Sequence, residues 1–382
     1  MSLRDVVVVG GSIAALTAVE MLRMEDFDGR ITVLSDEDVP PYTRVPLSKG
    51  VLAGTESIDD VVLAPLAEDV DLRLKTAATG LDLRTRTVHT TGGPVSYDGL
   101  VIATGGRARR LGRPDQDERV LRSHGDCARL SDDLATASSV LIVGGGFLGM
   151  EIASTARALG KDVTVVDVAP PLDRLLGVVV GGHVRSVAAQ TGVRIVVTDG
   201  GVRLLGVPRP TGVELVDGTR LEADLVVSAV GDVPNVEWLA GSGVQVHGGV
   251  VIDSSCRVAP SVVAAGDVTV TSGGDGTLSR SPHWTNAVEQ ARAAVRALLH
   301  GGAPYRPSQY CWTEQFGLDV KLVGDLDPQG EPAVLDGSLD QGSALLVWPD
   351  ALAPRSVVAL NHATPPVKLK RLLRPAAQGV PA

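Results

Sequence analysis

The chain has 382 residues, room for two or three domains, and is 44% apolar with only 3% aromatics, so its core is built from Val, Leu, Ile and Ala, which suits buried parallel strands. Its 44 glycines follow no collagen-like period and form no low-complexity run, which assigns them to turns. A formal net charge of −10 speaks against a nucleic-acid partner.

From the N-terminus, VVVV (6–9) predicts a strand, residues 14–24 a helix with Leu16, Val19 and Leu22 on one face, and ITVL (31–34) a second strand. The proline-rich loop PPYTRVPLSKG (40–50) follows, and LVIATGG (100–106) is a further buried strand ending in glycines. The pattern then restarts with SVLIVGGG (139–146), a helix over 147–159 and DVTVVD (162–167). Strands are expected at RIVVT (194–198), VELVDG (213–218), DLVVSAVG (224–231) and VVAAGD (262–267), and HWTNAVEQARAAVRALLH (283–300) reads as one long helix. After Pro304 come strand-like runs at QFGLDVKLVG (315–324), SALLVW (343–348) and SVVALN (356–361), then a basic helix, VKLKRLL (367–373); PAAQGVPA (375–382) reads as disordered.

This order predicts an α/β protein with two Rossmann-like dinucleotide-binding domains and a small α+β C-terminal domain. No Gly/Ser linker separates them, so the boundaries are soft: 1–115 for the first part of one dinucleotide domain, 116–232 for the second domain, 233–304 for the return to the first, and 305–382 for the C-terminal domain. The three cysteines, Cys127, Cys256 and Cys311, make no CxxC or CxxxxC pair and no metal-ligand spacing with the histidines. They read as core thiols in a reducing compartment, and no metal is expected. MSLRD leads straight into a strand and no apolar run has membrane-spanning length, which predicts a cytoplasmic protein away from membranes.

Two glycine turns carry the chemistry. In the second, Gly144, Gly146 and Gly149 fit G-x-G-x-x-G between a strand and a helix: the first glycine permits the turn, the second admits a pyrophosphate, and the third lets helix and strand pack. Asp167 ends the next strand, where an acid binds the adenosine ribose hydroxyls. The first turn departs from the ideal: Gly10 holds its place, Ser12 stands at the second position and Ala15 at the third, with Asp36 in the ribose position. Alanine is tolerated at the third place, and the Ser12 hydroxyl can hydrogen-bond a phosphate. Two such sites point to one tightly held redox cofactor and one exchangeable hydride carrier. No Lys or Arg lies between Val168 and Asp173 to receive a 2′-phosphate, which predicts NADH over NADPH.

With PYTRVPLSKG (41–50), LVIATGGRARRL (100–111), VLIVGGGFLGMEIA (140–153), VVAAGDV (262–268), HWTNAVEQA (283–291) and WTEQFG (312–317) in this order, the chain resembles the FAD-containing, NADH-dependent ferredoxin reductases. Those enzymes serve Rieske dioxygenases and bacterial cytochromes P450, within the glutathione-reductase-like flavoprotein superfamily. The resemblance implies that the first fingerprint binds FAD and the second NADH, making 1–115 and 233–304 the FAD-binding domain and 116–232 the NAD-binding domain. It implies FAD contacts from Gly10, Ala14, Asp36, Ala78, Arg122, Asp267 and Trp284, and places Lys49 beside the isoalloxazine. It pairs Lys49 with Glu151 near the nicotinamide. Each residue also has a plainer reading: Asp267 as a helix cap, Trp284 as helix-face packing, Glu151 as a first-turn acid favoured by the helix dipole.

Disulfide reductases of this superfamily carry a C-x4-C pair near the flavin, and the related peroxidases a single cysteine; here the corresponding position is Lys49, which can stabilise negative charge but cannot relay electrons through sulfur. The resemblance therefore implies a ferredoxin-type iron–sulfur acceptor, taking electrons one at a time. Basic clusters at Arg107, Arg109, Arg110 and Arg113 and at Lys368, Lys370, Arg371 and Arg374 either steer that partner or are ordinary solvated surface. The C-terminal domain is shorter than is usual in the family, with PDALAPRS (349–356) compressed, so a monomer and a homodimer both stay open. Two other functions remain beside this one: direct NADH-dependent reduction of a small molecule or oxygen, and a redox-sensing interaction protein resembling apoptosis-inducing factor.

Overall fold

The protein, seen in a computed structural model, is described over residues 3–272, 276–305, 309–350 and 353–373. The described residues hold six α-helices: α1 (Ile13–Met24), α2 (His124–Thr136), α3 (Phe147–Ala158), α4 (Asp173–Gln190), α5 (Trp284–His300) and α6 (Pro366–Leu372). The chain separates into two compact units, one formed by Met1–Thr43, Val61–Arg107 and Asp232–Ser308, the other by Arg44–Asp60, Ala108–Gly231 and Gln309–Ala382.

The first unit is organised by a six-stranded sheet in the order Arg257–Ala259, Val262–Ala264, Gly99–Ile102, Asp5–Val9, Arg30–Leu34, Val70–Arg73. Its neighbours are parallel except at the Arg257–Ala259 edge. Strands such as VVVV have no polar face because parallel strands are covered on both sides, and Val6 to Val9 are all buried. Helices α1 and α5 pack in this unit, with Ala15, Ala18, Ala291 and Ala294 buried in the same core as the sheet.

The second unit contains a four-stranded parallel sheet, Arg194–Val197, Asp162–Asp167, Ser139–Val143, Leu225–Ser228. It also contains a five-stranded antiparallel sheet, Tyr310–Gln315, Leu318–Gly324, Ser356–Leu360, Ser343–Trp348, Ala333–Ser338. A largely parallel sheet in each unit and a separate five-stranded antiparallel sheet in the second are the α/β fold class expected from the sequence. The loop 44–60 clusters with this unit because the end of its 3-10 turn Val45–Ser48 is held there: Cys127 Sγ donates to the Leu47 carbonyl at 3.3 Å and Thr155 Oγ1 to the Ser48 carbonyl at 2.7 Å.

The expected run 315–324 is a hairpin rather than one strand. Tyr310–Gln315 and Leu318–Gly324 are joined at Phe316 and Gly317, both at positive φ (53° and 74°), as a tight two-residue hairpin turn requires. VELVDG likewise breaks, into a strand at Gly212–Glu214 and a turn leading to Arg220–Glu222. Helices α2 and α4 have no counterpart among the predicted elements. The first is largely polar, and the second is interrupted at Gly177, which takes φ 72° and ψ 166° against the Pro328 carbonyl. The predicted tail 375–382 lies outside the described residues.

A Cβ on Gly149 would overlap the Gly144 carbonyl oxygen, so α3 seats on its turn only with glycine there. Gly149→Ala should lower stability by about 1–3 kcal/mol, the usual cost of overpacking. A urea titration should show a lower midpoint with an unchanged slope.

Candidate functional site

In the first unit, the glycine turn is dictated by crowding. Gly10 sits at φ 131°, where a Cβ would collide with the Ala103 carbonyl, and its N–H donates to the Leu34 carbonyl at 2.8 Å. Ser12 follows as the N-cap of α1, in extended backbone, but its side chain makes no capping bond and the first turn carries no acid. The N-terminal N–H groups of α1 therefore keep their affinity for an anion, and the Ser12 hydroxyl adds a donor.

Ala14 and Ala15 are buried, and a Cβ on Gly266 would lie 3.1 Å from that of Ala14, so the AAGD turn passes against the start of α1. Asp267 is fixed from two sides. Gln290 Oε1, buried on α5, accepts from the Gly266 N–H at 2.8 Å and Thr269 Oγ1 at 2.9 Å, while Arg280 donates to the Asp267 carbonyl at 2.6 Å and pairs with Asp232. Trp284 opens α5 and is 41% exposed. Beside it, burial holds His283 below the usual imidazole range, partly opposed by Asp267. Asp36 is exposed just beyond the Arg30–Leu34 strand; its neighbour Glu37 accepts from the Tyr42 hydroxyl at 2.6 Å. Ala78 begins the Ala78–Asp82 strand, half-buried against the sheet core.

In the second unit, Gly144 repeats Gly10: φ is 105°, a Cβ would strike the Ala229 carbonyl, and its N–H donates to the Val166 carbonyl at 2.8 Å. Gly146 is different. It caps α3, and a Cβ there would meet nothing nearer than Leu175 Cδ1 at 3.9 Å, so its backbone faces open space of the kind a pyrophosphate enters. Asp167 accepts from the Gly145 and Val168 N–H groups, each at 2.6 Å, and Arg174 stands 3.6 Å away. Each carboxylate oxygen keeps a further lone pair, which suits a ribose diol. Arg122 is fixed by its backbone at the capping box of α2: its N–H donates to Asp126 at 3.2 Å and its carbonyl accepts from Arg44 at 2.9 Å.

The tightest cluster surrounds Glu151. This residue lies beyond the first turn of α3, which carries no acid, so helix-dipole stabilisation does not account for it. It is 7% exposed, and Lys49 Nζ is 2.7 Å from its Oε2. Ser48 Oγ donates to the same oxygen at 2.6 Å and Thr313 Oγ1 to the other at 2.7 Å; Gln315 Nε2 in turn donates to Thr313 at 2.9 Å. Ser48, Thr313, Gln315 and Gln290 were absent from the sequence-derived candidates. All four lie within motifs already noted, PLSKG, WTEQFG and NAVEQ, but a hydroxyl or amide beside a charged residue carries no distinctive spacing.

The first basic cluster is largely engaged internally: Arg107 pairs with Glu237 at 2.5 Å, Arg113 with Asp115 at 3.1 Å, and Arg110 donates to the Glu118 carbonyl at 2.8 Å. Lys368, Lys370 and Arg371 lie on α6, and Arg374 is outside the described residues. Among the described residues, no group of His, Cys, Asp and Glu could hold a metal ion, and no helix is long and apolar enough to cross a membrane.

The model of a family described as pyridine nucleotide-disulphide oxidoreductase matches residues 4–293. The chain belongs to this family. Membership brings a flavin and NAD(H) as cofactors, which the two uncapped helix N-termini behind the glycine turns fit. Among its relatives, the biphenyl dioxygenase system ferredoxin–NAD(+) reductase component of Paraburkholderia xenovorans (strain LB400) is 32% identical, over 90% of this chain and 86% of that protein. The crystal structure of the ferredoxin reductase for the CYP199A2 system from Rhodopseudomonas palustris superposes with a TM-score of 0.86 at 28% identity, covering 94% of this chain and 91% of that one. The reductase in the covalent putidaredoxin reductase–putidaredoxin complex gives the same TM-score and identity, covering 98% and 93%.

The disulphide in the family's description has no counterpart here. All three cysteines are free and buried, and burial raises all three thiols, Cys256 and Cys311 to about 12. A thiol needs its thiolate to react, so at neutral pH these are inert. Native protein should resist iodoacetamide at pH 8 and take up three equivalents only after denaturation, as counted by mass spectrometry. Flavin reduction by NADH should be unchanged by the reagent.

Proposed function

We propose that the protein is an FAD-dependent NADH:ferredoxin oxidoreductase, which takes a hydride from NADH and passes electrons singly to a ferredoxin-type iron–sulfur protein serving a cytochrome P450 or Rieske oxygenase. The observation that carries this is the ion pair of half-buried Lys49 with buried Glu151, in a chain whose thiols are separate and inert. FAD, when bound, supplies the conversion of one two-electron event into two one-electron events. FAD is preferred to FMN because Gly10, Ser12 and the AAGD turn offer a helix N-terminus and a fixed Asp267, a site for the pyrophosphate of an ADP-bearing flavin.

Gly144, Gly146 and the N-terminus of α3 receive the NADH pyrophosphate, and Asp167 its adenosine ribose. Lys49 contributes an ammonium where hydride arrival adds negative charge, and Glu151 holds that ammonium in place. Relatives named as ferredoxin reductase components, and the putidaredoxin reductase captured with its putidaredoxin, support a ferredoxin-type acceptor. Cytoplasmic residence, as a monomer or homodimer, belongs to the same reading.

The test is NADH-driven reduction of cytochrome c with and without a panel of ferredoxins, on protein whose released flavin has been identified by chromatography. A large stimulation by one ferredoxin and release of FAD are expected. Turnover indifferent to every ferredoxin would instead favour direct reduction of a small molecule, and released FMN would remove the FAD assignment.

The coenzyme choice follows from Asp167. A 2′-phosphate brings about −2 of charge against this carboxylate, so NADH should be preferred at least about tenfold in kcat/KM, roughly 1.4 kcal/mol. Asp167→Ala should narrow that preference, because it removes the repelling charge and releases Arg174, now 3.6 Å from the carboxylate, to meet a phosphate. It should also weaken NADH itself, since the Gly145 N–H loses its acceptor.

A further inference from the structure

We propose that Thr313 is a positioning residue for hydride transfer, supplying Glu151 with a hydrogen bond that keeps the Lys49 ammonium from being drawn wholly onto the carboxylate; this rests on the role proposed above for the Lys49–Glu151 pair. Thr313 lies on the Tyr310–Gln315 strand and is fully buried. Its hydroxyl has one proton. Gln315 Nε2 donates to Thr313 Oγ1 at 2.9 Å, so that proton is directed to Glu151 Oε1 at 2.7 Å. The opposite amide orientation would set two acceptors against one proton.

The donors on Glu151 are divided. Oε2 takes Ser48 at 2.6 Å and Lys49 at 2.7 Å, while Oε1 takes Thr313. Without the Thr313 hydroxyl, Oε1 becomes a buried acceptor whose desolvation is uncompensated. Lys49 is the donor able to respond, because its stem is flexible and its ammonium has three protons where the Ser48 hydroxyl has one. An ammonium drawn to bridge both oxygens is a weaker partner for negative charge developing elsewhere. Thr313 and Gln315 thus act on the reaction through Lys49 without touching the reacting atoms, and the direction of the effect is set: loss of the hydroxyl slows flavin reduction and makes the flavin harder to reduce.

The test uses the FAD-loaded full chain. Thr313→Val, nearly isosteric, should slow stopped-flow bleaching by NADH roughly tenfold, the scale of one charge-assisted hydrogen bond. It should lower the flavin midpoint potential by up to about 30 mV, the two-electron equivalent of that factor. Thr313→Ser keeps the hydroxyl and should restore both values. In a Lys49→Ala background, Thr313→Val should add nothing to the slowing, because the two residues act as a unit. Wild-type rate and potential in Thr313→Val, with Lys49→Ala still slow, would overturn the inference and leave the Lys49 role intact. Wild-type reduction by Lys49→Ala itself would remove both. Should Thr313→Val not fold, Thr313→Ala replaces it, since it removes the same hydroxyl: slowing and a lowered potential support the inference, and an unchanged rate and potential overturn it.

Discussion

A carboxylate removed from water is costly unless its lone pairs are filled, and Glu151 is such a group. Its donors come from two separate stretches of chain: Ser48 and Lys49 from the proline-rich loop 40–50, and Thr313 from the first strand of the antiparallel sheet. Glu151 itself stands on the helix that follows the second glycine turn. The cost of burying this charge is therefore offset only when loop, helix and sheet are all in place. Thr155 repeats the arrangement one turn further on by bonding the Ser48 carbonyl. One helix face thus sets the position of the only ammonium in the cluster.

The two glycine turns solve one problem with different residues. Both place a glycine at positive φ against a carbonyl, at Ala103 and at Ala229, and both leave a helix N-terminus without a side-chain cap. They differ at the second position. Gly146 leaves its backbone facing open space, which would suit the exchangeable dinucleotide proposed there, whereas Ser12 adds a hydroxyl, which would suit the resident ligand proposed for the first turn. The acid of the second turn does double duty, since Asp167 bonds the very turn whose ligand it is proposed to select.

Much of this was legible because buried parallel strands are continuous apolar runs. VVVV and DVTVVD were placed within a residue of their true bounds, and SALLVW, buried in the antiparallel sheet, was legible for the same apolar continuity. What escaped had weak or contradictory local signals. Phe316 is a poor turn former and hides a hairpin inside an alternating run; its N–H is captured by Ser154 Oγ at 2.7 Å, a contact between segments far apart in the chain. Helix α4 carries an internal glycine at non-helical angles. At the candidate site, Lys49 and Glu151 could be named because the resemblance carried by PLSKG and by the second glycine turn pairs them. Ser48, Thr313 and Gln315 could not, because neutral donors acquire meaning only once the fold shows which carboxylate they meet.

The Phe316–Ser154 contact and the Thr313–Glu151 contact bind one hairpin to one helix at two points. The antiparallel sheet is thus not an independently exchangeable module. A chimera that grafts another relative's C-terminal sheet onto this chain would also replace the polar surroundings of the helix behind the second glycine turn. Sheet swaps would therefore alter the hydrogen bonding of Glu151 unless the threonine, the glutamine and the hairpin turn travel unchanged.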